Sequence, residues 1–223
     1  MTEPRQARAE VTRRRILDAA VDLFAGAGYG ETGLAEIVKQ AAVTKGAFYY
    51  HFASKEAVAT AIIEDSQSKI VEAANRAASG SAAGLESVIA KTFGIARLVQ
   101  TDRSIRIGKE LARSLTQVSD AGRNAFQVWT ADFIGEVQKA GAQGELLDDV
   151  DPDEVGEAIW VAVLGTDLLS NALADDYSMR LAEVWRVLLR GVVPAESIGY
   201  FQEFVKRAAM RPAHGHPDAA PAQ

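Results

Sequence analysis

The stretch from Thr32 to Lys55, TGLAEIVKQAAVTKGAFYYHFASK, constrains this chain more than any other. Leu34, Ile37, Val38 and Ala41 recur at helical spacing. Ala41, Ala42 and Val43 are small enough for a tight turn, after which Thr44 can cap the free backbone donors of a second short segment. Two amphipathic segments packed across such a turn have the sequence shape of a helix-turn-helix, whose second helix enters the DNA major groove. Ala47, Phe48 and Phe52 form the packing side of that helix, and Lys45, Gly46, Tyr49 and His51 the exposed side. Glycine and aromatic residues are poor helix formers, so KGAFYYHF is expected to be held by packing rather than by propensity.

The rest of the chain reads as all-α. From Ala9 to Ala27, Ile16, Leu17, Ala20, Leu23 and Phe24 keep one apolar face, with Gly26 and Gly28 as stop signals. This helix and the turn motif predict a three-helix DNA-binding head over residues 9–53, preceded by a flexible, lightly basic arm at 1–8. Gly33 stands where Ser or Thr would ordinarily cap the first short helix, so that end is expected to be loose. Ser54 caps a long helix through Val58, Ile62, Ile63 and Ile70, the mechanical link from the head to a larger body at 54–208.

Further helices are predicted from Leu85 to Val99, Ile105 to Leu115, Ala121 to Ala140, Pro152 to Leu173, Met179 to Leu189, and onward from Pro194. Asp151-Pro-Asp-Glu154 is a clear helix start, with an Asp cap and Pro at the first position. The helices after Pro152 and Met179 carry more apolar surface than one buried face needs. Val155, Ile159, Val163, Leu181, Val184, Trp185 and Leu188 are therefore expected at a homodimer interface of two helices per subunit. The tail at 209–223 is expected to be disordered.

Charge permits a nucleic-acid partner without establishing one. The net charge is −6, but residues 1–60 sum to +1, and the phosphate backbone responds to the local footprint. Arg13, Arg14 and Arg15 are either a solvated cluster or phosphate contacts, and His51 is either a buried hydrogen-bonding residue or a phosphate contact. Lys45 is placed to meet guanine, and Gly46 to admit close approach of backbone or sugar. Thr44, Tyr49, His51 and Lys55 complete a clamp on phosphate. So few base readers specify little alone, which points to a two-fold dimer on two half-sites of an operator in double-stranded DNA.

No cysteine is present, and no run approaches the apolar length of a membrane span, so a cytoplasmic protein outside the membrane is expected. No phosphate-binding glycine motif and no nucleophile–base pair appears, so neither an enzyme nor a cofactor is expected. His214 and His216 flank one glycine in the tail, where nothing rigid supplies further metal ligands. Trp129, amid Phe93, Phe126 and Phe133, is either core packing or the wall of a cavity for a small hydrophobic or amphiphilic effector. Thr166 either supplies such a cavity with a polar contact or bonds back to its own helix.

Residues 13–58, RRRILDAAVDLFAGAGYGETGLAEIVKQAAVTKGAFYYHFASKEAV, resemble the head of the TetR family of bacterial one-component repressors. FGIARLVQ at 93–100, VAVLGTDLL at 161–169 and LAEVWRVLLRGVVP at 181–194 resemble its gamma-butyrolactone receptor and pseudo-receptor branch, known from Streptomyces. The resemblance implies a homodimer on a near-palindromic operator, released by an amphiphilic ligand that moves the helix starting at Ser54, in control of secondary metabolism. It also implies ligand contacts from Trp129 and Thr166, and a polar group on the linking helix at Ser66 or Gln67. Gly33 departs from the family pattern.

Overall fold

The computed structural model describes residues 3–115 and 120–211. Ten α-helices follow in order: α1 Glu3–Ala27, α2 Leu34–Gln40, α3 Lys45–His51, α4 Lys55–Ala78, α5 Leu85–Thr101, α6 Arg103–Ser114, α7 Asp120–Ala142, α8 Pro152–Leu173, α9 Tyr177–Val192 and α10 Ala195–Met210. No strand occurs among the described residues.

Helix α1 starts six residues earlier than its apolar pattern suggests, so residues 3–8 of the expected flexible arm are helical. Gly28, at φ +86°, ends α1 in the left-handed region. The turn between α2 and α3 uses the same device at Ala42, φ 51°, with Val43 N–H returning to Val38 O at 3.3 Å. Thr44 and Ser54 cap as expected, accepting from Ala47 N–H at 3.1 Å and Ala57 N–H at 3.2 Å. Gly33 is not a loose end: its own N–H donates to Glu36 Oε2 at 2.7 Å. Thr32 is buried, with its hydroxyl donating backward to Gly28 O.

The chain forms two compact units, which do not divide at residue 53. The first takes the described residues of 1–70 and 102–127, the second those of 71–101 and 128–211. Helix α6 joins the first unit for two local reasons. Arg103 Nη1 reaches Asp22 Oδ1 on α1 at 2.7 Å, and Gly108 passes so close to α4 that a Cβ there would collide with Ser66. No periodicity in α6 itself reports either contact.

In the first unit Ile16, Ala20, Phe24, Ile37, Phe48 and Phe52 form the core that α1, α2 and α3 share. In the second, α5 is buried on every side, including the polar residues Ser87, Lys91 and Thr92. Thr92 Oγ1 donates to Ile89 O at 2.7 Å and accepts from Trp185 Nε1 at 3.0 Å. Lys91 Nζ lies 2.9 Å from Asp132 Oδ2 and 3.3 Å from Glu136 Oε1, both on α7. Helix α8 ends at Ala174 in the left-handed region, and Asp176 caps α9. Met210, expected in the disordered tail, still belongs to α10; residues 212–223, with His214 and His216, lie outside the described residues.

Candidate DNA-reading face and ligand-binding core

Helix α3 is two turns long and rests on Phe48, fully buried, and Phe52, its C-cap. Their burial contributes roughly 1.5–3 kcal/mol each, enough to hold a segment of poor helix formers. With that side inward, Thr44, Lys45, Gly46 and Tyr49 are brought together on the outward side, all exposed. A Cβ on Gly46 would meet only Thr44 Oγ1, at 3.9 Å. Nothing inside the protein therefore requires glycine at this position.

Sequence reasoning missed Tyr50, whose 74% exposure exceeds that of every other large hydrophobic side chain described. The signal was present, since Phe48 and Phe52 lie four apart and leave 49 and 50 on the outside. His51 is only half-buried and packs edge-on against Tyr50, with centroids 4.9 Å apart. Arg13 holds its guanidinium 5.4 Å from the Phe52 ring. Arg13, Tyr50 and His51 share a concavity of about 530 Å³ with Gln6, Ala7, Ala9 and Glu10. Arg14 is exposed on α1.

Lys55, expected as part of the phosphate clamp, is engaged within the protein. Its Nζ donates to Tyr29 O at 2.8 Å and Thr32 O at 2.9 Å, and sits 4.3 Å from the centre of the Tyr29 ring. The ammonium is turned onto the loop before α2, whose carbonyls have no helical partners of their own.

The five expected ligand residues divide between the units. Ser66 and Gln67 belong to the first, where Ser66 is buried, bonds to Ile63 O at 3.1 Å and packs on Gly108. Ser66 thus faces α6 at a close helix crossing, and Gln67 is half-buried. In the second unit Phe93 is fully buried within α5. Trp129 meets Trp160 edge-on at 5.6 Å, and Trp160 stacks on Phe133 at 5.1 Å. Trp160, on α8, thus joins the rings of Trp129 and Phe133. Thr166 is buried and donates to Ala162 O at 2.6 Å, the back-bonded alternative. Burial and the Asp167 carboxylate push the Tyr177 phenol well up, so it stays a donor, 3.4 Å from Val163 O.

Residues 16–62 match the family described as "Bacterial regulatory proteins, tetR family", and residues 82–194 match "Tetracyclin repressor-like, C-terminal domain". The A-factor receptor protein of Streptomyces griseus is 32% identical over 190 residues, 84% of this chain and 66% of that one. The chain thus spans just under two thirds of that relative. A crystal structure of a gamma-butyrolactone receptor (ArpA-like protein) superposes with a TM-score of 0.74 at 34% identity, covering 91% of this chain and 97% of that one. CprB from Streptomyces coelicolor, in complex with its biological operator sequence, gives 0.73 at 35% identity, covering 90% and 97%. The chain belongs to the TetR family.

Within this TetR regulator, related to the gamma-butyrolactone receptors, the expected dimer residues need correction. Val155, Ile159, Val163, Leu181 and Trp185 are all buried inside the protomer, and Val184 and Leu188 are half-buried. The second unit's own core covers the side of α8 and α9 that carries the large residues. What remains outside on α8 is Val161 at 61% exposure with Leu168, Leu169 and Leu173, and on α9 Met179 at 63% and Val187 at 68%. Among the described residues of this TetR chain no cluster of His, Asp and Glu is arranged to hold a metal. No described helix is long and apolar enough to cross a membrane.

Proposed function

We propose that this TetR regulator is a transcriptional repressor that binds a near-palindromic operator as a homodimer. A small amphiphilic ligand, gamma-butyrolactone-like or an antibiotic, then releases it in the control of secondary metabolism. The observation that carries the DNA half is the outward side of α3. Thr44, Lys45, Gly46 and Tyr49 stand exposed on a helix anchored by Phe48 and Phe52, and Gly46 has no internal reason to be glycine. Likeness to CprB, solved with its operator, supports the same reading. The exposed apolar side of α8 and α9 supports the dimer, since two such faces bury each other without unpaired polar groups. Likeness to the A-factor receptor supports the ligand class.

A second reading, a constitutive DNA-binding regulator with a solid core, is favoured by one observation. Trp129, Trp160 and Phe133 pack against one another, and Thr166 spends its proton on its own helix. Release requires the ligand to prefer the DNA-incompetent state, because equal affinity for both shifts nothing. Selection of duplexes from a random pool, followed by challenge of the bound complex with a panel of gamma-butyrolactones and antibiotics, separates the readings. Enrichment of a near-palindrome with release by one panel member is expected; enrichment without release by any leaves the constitutive regulator.

A further inference from the structure

Among the described residues, every buried hydroxyl but one has a partner inside the protein. Thr32, Ser66, Thr92, Thr166 and Tyr177 each donate to a backbone carbonyl, and Ser87 bonds to Glu136. Ser170, on α8 and only 4% exposed, leaves its Oγ without a hydrogen-bond partner among the described residues. A hydroxyl inside a helix ordinarily returns its proton to the carbonyl one turn back, as Thr166 does to Ala162 O at 2.6 Å. A buried polar group left unmatched destabilises the fold, so the orphan marks a place where a partner comes from outside the chain.

The position of Ser170 says which partner. Trp160, Val163, Thr166 and Ser170 follow one another at helical spacing along the inward side of α8. At Trp160 that side is aromatic, with Trp129 edge-on at 5.6 Å and Phe133 stacked at 5.1 Å. About 15 Å further along the axis it reaches Ser170, one turn beyond Thr166. The side therefore grades from apolar to polar, a profile that an amphiphilic molecule matches. Thr166 has spent its proton and can only accept, whereas Ser170 can both donate and accept. Side chains four apart on a helix are neighbours that one small group can bridge. A ligand hydroxyl does so, accepting from Ser170 Oγ and donating to Thr166 Oγ1; a carbonyl can only accept and leaves Thr166 unused.

We infer that Ser170 is an effector-binding residue: with Thr166 it takes a hydroxyl on the polar end of a ligand whose apolar part lies toward Trp160. The inference rests on the ligand-responsive reading and adds the residue that selects the head group. The test compares two gamma-butyrolactones with the same medium-length alkyl chain, one bearing a hydroxymethyl group on the ring and the other a methyl. Binding of each to full-length wild type, Ser170→Ala and Thr166→Val is measured by titration calorimetry. Wild type is expected to prefer the hydroxymethyl compound by about tenfold, the scale of a hydrogen bond restored to a buried group. S170A is expected to lose that preference while binding the methyl compound as tightly as wild type does. An undiminished preference in S170A, an equal loss of both compounds, or no preference in wild type overturns the role of Ser170 and leaves the ligand reading standing. Should S170A fail to fold, T166V carries the test: loss of the preference supports the shared hydroxyl, and retention overturns it. Binding of neither compound to wild type overturns the butyrolactone as effector and this role with it.

Discussion

Helices α3 and α5 place their polar residues in opposite ways. The seven residues of α3 turn Lys45 and Tyr49 outward, with only Thr44 engaged as a cap. The seventeen residues of α5 turn Lys91 and Thr92 inward, where Trp185, Asp132 and Glu136 engage them. A polar group left in water loses little, so α3 can hold its donors ready for a partner. One buried without a partner costs about 1–3 kcal/mol, so each on α5 must be matched within the fold. An exposed polar edge on a well-packed helix is therefore a better pointer to function here than a polar residue inside an apolar helix.

The largest effect that can break this comparison lies at Lys91. Replacing both partners, Asp132→Asn with Glu136→Gln, strands a buried ammonium and is expected to destabilise by about 3–5 kcal/mol in chemical denaturation. Lys91→Met removes the charge with its partners left partly exposed and is expected to cost far less; equal losses would show that the ion pairs do not matter. Next is Lys45→Ala, expected to lose about 1–3 kcal/mol of discrimination at one operator position with no change in melting temperature. A uniform loss over all sequences would make Lys45 a phosphate contact instead.

Acid sharpens the comparison further. Burial pulls the Glu136 carboxyl up, but hydrogen bonds from Lys139 and Lys91 outweigh it, and the group titrates below the ordinary 4.5. Asp102, in the first unit, behaves alike: burial is outweighed by the Ser104 hydroxyl and backbone N–H and by Lys69, and the group titrates below 3.8. An acid with a depressed folded pKa binds fewer protons folded than unfolded. Its stabilisation is present above the unfolded value and fades as pH falls through the folded one. Unfolding curves taken downward from pH 5 are expected to lose stability, and Glu136→Gln to flatten part of that loss.

Two small effects concern the backbone. Gly46→Ala is expected to stabilise α3 by about 0.5–1 kcal/mol, because nothing inside the protein crowds a Cβ there, while weakening operator binding. Stabilisation with undiminished binding would remove Gly46 from the interface. Ala42→Gly relieves a left-handed alanine at the cost of chain entropy and is expected to change stability by under about 1 kcal/mol.

How far the sequence reached depended on whether the signal was local. Thr44, Ser54 and Asp151 cap the helices they were expected to cap, because a cap needs only a side chain and the next turn. The outward edge of α3 followed from Phe48 and Phe52 by phase alone. The Lys55 contacts were not foreseen, because its partners are backbone carbonyls twenty-odd residues away, and a carbonyl leaves no mark in a sequence. The dimer residues were misread for a related reason. Helix α8 is apolar around most of its girth, and periodicity does not say which side the protomer covers.

Sequence alone determined that this chain is all-α, where most of its helices lie, and that a short capped helix carrying Lys45, Gly46 and Tyr49 follows a tight turn. Period and capping are properties of neighbouring residues, and neighbours are what a sequence records. Tertiary structure alone decided that α6 joins the head's unit, that Ser66 packs closely on Gly108, and that Val161 and Val187, not Ile159 and Trp185, face outward. Those outcomes depend on which surfaces meet across long stretches of chain. Packing at near-crystalline density makes that choice by shape and volume, which no local pattern encodes.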